Sequence, residues 1–262
     1  MGKFQNKVII VTGSSAGIGQ ATALLLAKEG ASVTIHGQSS EKLEATKNLL
    51  INAGTSENKI LIISGPIQEE KTQKDLIEKT IENFGKLNIL INNVGQSRKP
   101  DVSDRLDIEH YDYVMNVNVR SVIALTRLAV PFLEKTKGNI VNISSIAALR
   151  TSPLTPYYSV AKCALDSYTK NAAVIYGSNG IRVNAINPGT VDTDIWKRSD
   201  DPRVASFCDK LIKETIVDRM GKPKEIARVI AFLASDEAAF ITGSCWLIDG
   251  GAMVTPSYFG QS

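Results

Sequence analysis

The side chains best suited to acid–base chemistry are a phenol and an ammonium, Tyr158 and Lys162, in Tyr158-Ser159-Val160-Ala161-Lys162. A spacing of four residues puts both on one face of a helix. Free tyrosine titrates near pH ~10 and is a poor proton donor or acceptor at neutrality. A neighbouring cation favours the phenolate, so a depressed Tyr158 pKa is expected, each unit being worth about 1.4 kcal/mol. Tuning of that kind is what general acid–base catalysis requires. The chain has seven tyrosines and many lysines, so the spacing alone says little and its surroundings decide its weight. Tyr157 faces Ala161 at the same offset and reads as packing. Ser144 and Ser145 close the apolar run 138–145, and the carboxyl end of such a strand is where parallel sheets hold ligands. Strand side chains alternate, so these two hydroxyls point to opposite sides.

A second cluster lies near the amino terminus. Thr12-Gly13-Ser14-Ser15-Ala16-Gly17-Ile18-Gly19 follows the first apolar run and opens the first helical pattern. Glycines there permit a tight turn and let backbone N–H groups approach an anion, and the helix amino end adds a favourable dipole. At the first strand–helix junction of an open α/β sheet, that anion is a nucleotide pyrophosphate.

The elements that must position these groups alternate along the chain. Strand-like runs are 8–11, 32–35, 59–63, 87–91, 139–143, 182–186 and 244–248, several of them apolar at nearly every position. That is the pattern of strands covered on both faces. Helical patterns fall at 18–29, 41–52, 71–84, 119–134, 157–176 and 223–234. The alternation predicts a single-domain α/β fold, a Rossmann-type doubly wound parallel sheet of about seven strands with helices on both faces. Residues 190–219 are polar, interrupted by Pro202 and too long for an ordinary connection, which suggests a substrate-binding loop or lid carrying Ile195, Trp196 and Phe207. Gln96, Ala147 and Tyr157 would complete an apolar pocket beneath it, although core packing explains each of them equally well.

The glycine spacing is TGxxxGxG, and with it the chain resembles the short-chain dehydrogenase/reductase family from Lys7 to Gly251. Asn92-Asn93-Val94-Gly95 is similar to the family's Asn-Asn-Ala-Gly element beside the adenosine. Asn187-Pro188-Gly189-Thr190-Val191-Asp192-Thr193 is similar to its Pro-Gly segment beside the nicotinamide, where the Val191 backbone and Thr193 hydroxyl would hold the carboxamide. Ser145 stands thirteen positions before Tyr158, the family's serine–tyrosine spacing, and Asn118 aligns with its catalytic asparagine. Asn116 then reads as a surface or capping residue. The resemblance implies a catalytic tetrad of Asn118, Ser145, Tyr158 and Lys162. In it Tyr158 protonates a carbonyl oxygen as hydride arrives, and Ser145 hydrogen-bonds the same oxygen. Lys162 binds the nicotinamide ribose and lowers the Tyr158 pKa, and Asn118 supports a helix break and a water chain. It also implies a homotetramer, or a dimer, built on helices 119–134 and 157–176 and the last strand.

The implied cofactor segments are Gly13, Ser14, Ser15, Ala16, Gly17, Ile18 and Gly19; Gly37, Gln38, Ser39 and Ser40; Ile67; Asn93, Val94 and Gly95; and Pro188, Gly189, Val191 and Thr193, besides Tyr158 and Lys162. After the second strand, His36-Gly37-Gln38-Ser39-Ser40 has no acid to repel a 2′-phosphate, which favours NADP(H), with NAD(H) as the alternative. The arginine common in NADP-selecting relatives is replaced by Gln38, while Gln38, Ser39, Ser40 and Lys42 can donate to a phosphate. Pro66 stands where the family has an aspartate on the adenine amino group, so that contact is lost. Ile67 retains its backbone, and weaker cofactor affinity is expected. His36 reads as a half-buried polar residue and His110 as solvated.

Composition removes other classes. Thirty basic and 27 acidic residues give a net charge of +3 without like-charge blocks, which supports neither a nucleic-acid nor a membrane partner. Cys163, Cys208 and Cys245 form no CxxC pair, so neither a disulfide framework nor a metal site is expected, and a reducing, cytoplasmic setting is the simplest reading. No signal-peptide pattern precedes residues 8–11, Asn6 spoils a myristoylation match, and the Asn142-Ile143-Ser144 sequon ends a buried strand. The reading is an NADP(H)-preferring oxidoreductase acting on a small carbonyl or alcohol. Its rivals are an NAD-dependent alcohol or hydroxysteroid dehydrogenase and a non-catalytic nucleotide-binding protein. The last has no need to keep Tyr158 and Lys162 together.

Overall fold

The computed structural model describes residues 2–100, 102–193, 210, 212–213 and 215–254. Its centre is one parallel sheet formed by β1 (Val8–Val11), β2 (Ser32–Gly37), β3 (Ile60–Ser64), β4 (Ile89–Asn92), β5 (Asn139–Ile143), β6 (Arg182–Pro188) and β7 (Cys245–Ile248), in spatial order β3-β2-β1-β4-β5-β6-β7. The helices are α1 (Gly17–Lys28), α2 (Ser40–Asn52), α3 (Glu70–Phe84), α4 (Ile108–Met115), α5 (Ser121–Thr136), α6 (Pro156–Gly177) and α7 (Pro223–Ala234). Strand order reverses between β1 and β4, so the connections diverge there and leave a crevice at the carboxyl edge.

The pleat explains the unbroken apolar runs. On β1, Ile9 and Val11 enter one core with Leu26, Leu43, Ile226 and Ile230, while Ile10 enters the other with Leu76, Leu125, Leu133 and Ala172. β4 splits the same way, Ile89 and Ile91 against Leu90, and β5 sends Val141 and Ile143 opposite to Ile140. Each such side chain contributes roughly 1.5–3 kcal/mol by leaving water, so a polar residue at any of them would disrupt one layer.

The element that the sequence pattern did not show is α4. Asp107 caps it, its carboxylate accepting from the Glu109 N–H at 2.8 Å. Residues 116–120 then form a π-helical turn leading directly into α5. Such a turn holds an extra residue, so the 3.6 periodicity loses register there and a pattern search starts the helix only at 119. His110 lies on the inner side of α4 and is 3% exposed, contrary to the solvated position expected from its polar neighbours.

Candidate active site

The glycine-rich turn leaves β1 at the crevice. Gly13 takes φ +64°, and a Cβ on Gly19 would sit 2.3 Å from the Gly13 carbonyl oxygen, so α1 can start this close to the strand only with glycine there. Asn93 pins the turn, its Nδ2 donating to the Thr12 and Gly13 carbonyls at 2.9 and 3.1 Å. Thr12 Oγ1 accepts from the Asn93 and Val94 N–H groups at 2.9 and 3.2 Å, a role with no sequence signal beyond its place before the glycines. Ser14 is buried, and its N–H and hydroxyl go to the His36 carbonyl and the Val11 carbonyl at 2.8 and 2.9 Å. Its polar groups therefore tie the end of β1 to β2 instead of facing a ligand. α1 begins without a side-chain cap at Ala16 and without an acid in its first turn. Amides left uncapped at a helix amino end, beside a glycine cradle, are the donor set a pyrophosphate fits.

The 188–193 segment closes over that turn. A Cβ on Gly17 would come 3.1 Å from Thr193 Cγ2, and one on Gly189 would come 2.8 Å from the Asp249 Cα. Val191 pairs with Gly221 in a short bridge. At the edge of β2, Gln38 and Ser40 are exposed, as is Lys42. Ser39 caps α2, its hydroxyl accepting from the Lys42 N–H at 3.2 Å. Ile67 is buried and its carbonyl accepts from Gln73 Nε2 at 2.8 Å. Ile195, Trp196 and Phe207 lie outside the described residues.

The four residues of the expected tetrad converge beside this crevice. The π turn carries Asn118, fully buried, whose Nδ2 donates to the Val114 and Gln96 carbonyls, both at 2.8 Å, and whose Oδ1 accepts from the Gln96 N–H at 3.2 Å. Asn116, at the start of the turn, is only partly exposed. A Cβ on Gly95 would lie 3.1 Å from Asn118 Oδ1 and 3.4 Å from Lys162 Nζ, so the segment after β4, the π turn and α6 meet at this glycine. Lys162 is 2% exposed and donates from Nζ to the Ile143 carbonyl at 2.8 Å, with Nζ 5.4 Å from the centre of the Tyr158 ring. Ser144 turns away from the crevice and donates to the Lys162 carbonyl at 3.3 Å, whereas Ser145 Oγ accepts from the Ala147 N–H at 3.1 Å.

The electrostatics differ from the sequence expectation. Tyr158 is half-buried as a residue, and desolvation of its hydroxyl end pushes its pKa up to about 12, with Ser145 opposing the rise. Burial brings Lys162 down to about 8, with Asp166 opposing the fall. The ammonium gives a hydrogen bond to Ile143 rather than to the phenol, so burial governs the phenol.

Two supporting residues escaped the sequence reading. Asn187 Nδ2 donates to the Ser145 carbonyl at 3.1 Å and to Asp166 Oδ2 at 2.7 Å. Asp166 lies one turn beyond Lys162, and this spacing was its only signal. Tyr157 donates its hydroxyl to the Leu106 carbonyl at 2.8 Å and packs edge-on against Tyr111, a packing role. His36 is 1% exposed, more buried than expected, because β2 runs one turn of pleat further than its apolar run. Among the described residues no cluster could hold a metal and no helix is long and apolar enough to cross a membrane.

The chain is similar to known proteins over nearly its full length. A family model described as Enoyl-(Acyl carrier protein) reductase matches residues 13–253. An uncharacterized oxidoreductase of Thermotoga maritima is 38% identical over 95% of this chain and 98% of its own. A short-chain dehydrogenase/reductase of unknown function from Caenorhabditis elegans, solved with cofactor, superposes with a TM-score of 0.91 at 36% identity, covering 99% of this chain and 100% of its own. Glucose dehydrogenase of the same organism, in the apo form, gives 0.82 at 43% identity over 96% and 99%. With its parallel seven-stranded sheet and near end-to-end similarity, the chain belongs to the short-chain dehydrogenase/reductase family, oxidoreductases acting on alcohol and carbonyl groups.

Proposed function

We propose that this enzyme is an NADP(H)-preferring reductase of small carbonyl compounds in which Tyr158 is the general acid, and the general base in reverse. The observation that carries the reading is the convergence of Asn118, Ser145, Tyr158 and Lys162 around Gly95, beside the uncapped amino end of α1. A dihydronicotinamide, when bound, would supply the hydride. With a pKa near 12 the phenol is protonated at neutral pH, the form a proton donor to a carbonyl oxygen needs. Ser145 accepts from the Ala147 N–H, which fixes its oxygen, and its hydroxyl, hydrogen-bonded to Tyr158, is placed to donate to the same substrate oxygen. Lys162 gives one N–H to Ile143 and keeps two for the ribose hydroxyls. Asn118 holds the segment at Gln96 and the π turn together, which keeps Gly95 and Lys162 in register.

NADP(H) preference rests on the absence of an acid in residues 36–40 and on exposed Gln38 and Ser40 at the β2 edge. Absorbance at the reduced-nicotinamide band, with NADPH and NADH against a panel of ketones and diketones, tests this. A higher kcat/KM with NADPH is expected. A tenfold preference for NADH would instead identify an NAD-dependent alcohol dehydrogenase, and no turnover with either would identify a non-catalytic binding protein. The assembly we propose is a homotetramer in the cytoplasm, with a dimer as the smaller alternative. Val174 and Ile175 on α6 are 82% and 61% exposed, and Leu247 on β7 is 40% exposed, apolar area that a second copy would cover. Light scattering at micromolar concentration checks the mass.

A further inference from the structure

We infer that His36 is a positioning residue that sets cofactor affinity by tying two turns of the nucleotide crevice together. The inference rests on the proposed reading that the turn 13–19 holds the cofactor. His36 is the penultimate residue of β2 and is almost wholly enclosed. Both ring nitrogens are occupied by backbone. Nδ1 accepts from the Gly13 N–H at 3.3 Å, and Nε2 lies 3.1 Å from the Gly65 carbonyl oxygen. A carbonyl can only accept and an N–H can only donate, so the ring is neutral with its proton on Nε2.

The two partners are not ordinary positions. Gly13 opens the glycine-rich turn after β1 with φ +64°, and Gly65 opens the turn after β3 with φ +149°. Both are loop starts in conformations that side chains rarely adopt, and such backbone holds its shape only when its surroundings over-determine it. The main chain of residues 36 and 37 contributes further. The His36 N–H donates to Ser14 Oγ at 2.9 Å, the His36 carbonyl accepts from the Ser14 N–H at 2.8 Å, and the Gly37 carbonyl accepts from the Gly65 N–H at 3.1 Å. The backbone bonds fix strand spacing. The imidazole alone reaches the Gly13 N–H, the first amide of the turn meant for phosphate. Without it that amide is free to rotate, and the cofactor must order the turn as it binds.

The role separates binding from chemistry, because His36 lies away from Tyr158 and Lys162 on the far side of β1. In His36→Leu both bonds are lost. In His36→Asn the shorter amide keeps an acceptor near the Nδ1 position, and in His36→Gln the longer amide keeps a donor near Nε2. NADPH dissociation constants by fluorescence titration, kcat at saturating NADPH, cofactor KM and Tm would be measured for each. For His36→Leu, the dissociation constant and cofactor KM should rise about tenfold, the scale of one buried hydrogen bond, while kcat stays within about twofold. His36→Asn should recover most of the affinity, and His36→Gln little of it. A folded His36→Leu that binds NADPH as wild type does, or equal affinity of wild type, Asn and Gln variants should the Leu variant not fold, overturns the inference. So does a fall in kcat matching the fall in affinity. If wild type binds neither NADPH nor NADH, the reading of the crevice fails, and the inference with it.

Discussion

Replacing Gly95 by alanine puts one methyl group at the junction of the elements proposed to carry catalysis. The added carbon would stand 3.1 Å from Asn118 Oδ1 and 3.4 Å from Lys162 Nζ, so one or both must retreat by a few tenths of an ångström. Neither is loose. Asn118 makes three hydrogen bonds of 2.8, 2.8 and 3.2 Å, and Lys162 is held to Ile143 at 2.8 Å. Overpacking by one methyl costs about 1–3 kcal/mol, and the low end applies because the obstacles are side-chain ends. The catalytic cost is larger in proportion. A misplacement of ~1 Å can cost about a hundredfold, so a shift of a few tenths should lower kcat roughly three- to tenfold. Gly177→Ala is the matched control, since a Cβ there meets no atom within 4 Å and the helix gains about 0.4–1 kcal/mol. Thermal unfolding and steady-state reduction of a reactive ketone by NADPH would be compared for both variants. A Gly95→Ala enzyme with wild-type kcat would refute the claim that Gly95 sets the spacing of Asn118 and Lys162.

Other outcomes follow from the same geometry. His36 has its pKa lowered from 6.5 to about 4 by burial, so the unfolded chain binds the extra proton between those values. Its contribution to stability is complete above pH 6.5 and is lost as pH falls toward 4, up to about 3 kcal/mol; urea unfolding at pH 7.5 and 5 should show a drop that His36→Asn flattens. Lys162 is brought down to about 8, so the fold disfavours its charge and this group's stabilisation is absent below that pH. Lys162→Met should therefore raise or leave unchanged the Tm at pH 7 while turnover falls about a hundredfold or more, and a marked loss of Tm would contradict the assignment. Gln38→Arg should raise the NADPH-to-NADH ratio of kcat/KM about tenfold and Gln38→Asp should lower it by a similar factor, read by steady-state kinetics.

The periodic parts of the chain were legible because burial on both faces leaves no freedom. Ile9, Ile10 and Val11 are all apolar since successive residues enter different cores, and α7 is bounded by Pro223 at its first turn, which marked its start in the sequence. The π turn at 116–120 hid α4 by breaking the register that a pattern search needs. Spacing located Tyr158 and Lys162 but could not report desolvation, which moves the phenol opposite to a simple cation argument. Nor could it show that Ser14 is bonded to His36 of β2, or that Asn187, held by Asp166, braces Ser145, because those contacts join residues far apart in the chain.

The proposed mechanism turns on one proton, passed from the Tyr158 hydroxyl to a carbonyl oxygen. The direct test is Tyr158→Phe, with NADPH affinity by titration and ketone reduction by single-turnover absorbance on the same sample. The expected result is cofactor affinity within about twofold of wild type and a reduction rate lower by about a thousandfold. A phenylalanine enzyme that keeps a tenth of the wild-type rate would mean that another group supplies the proton.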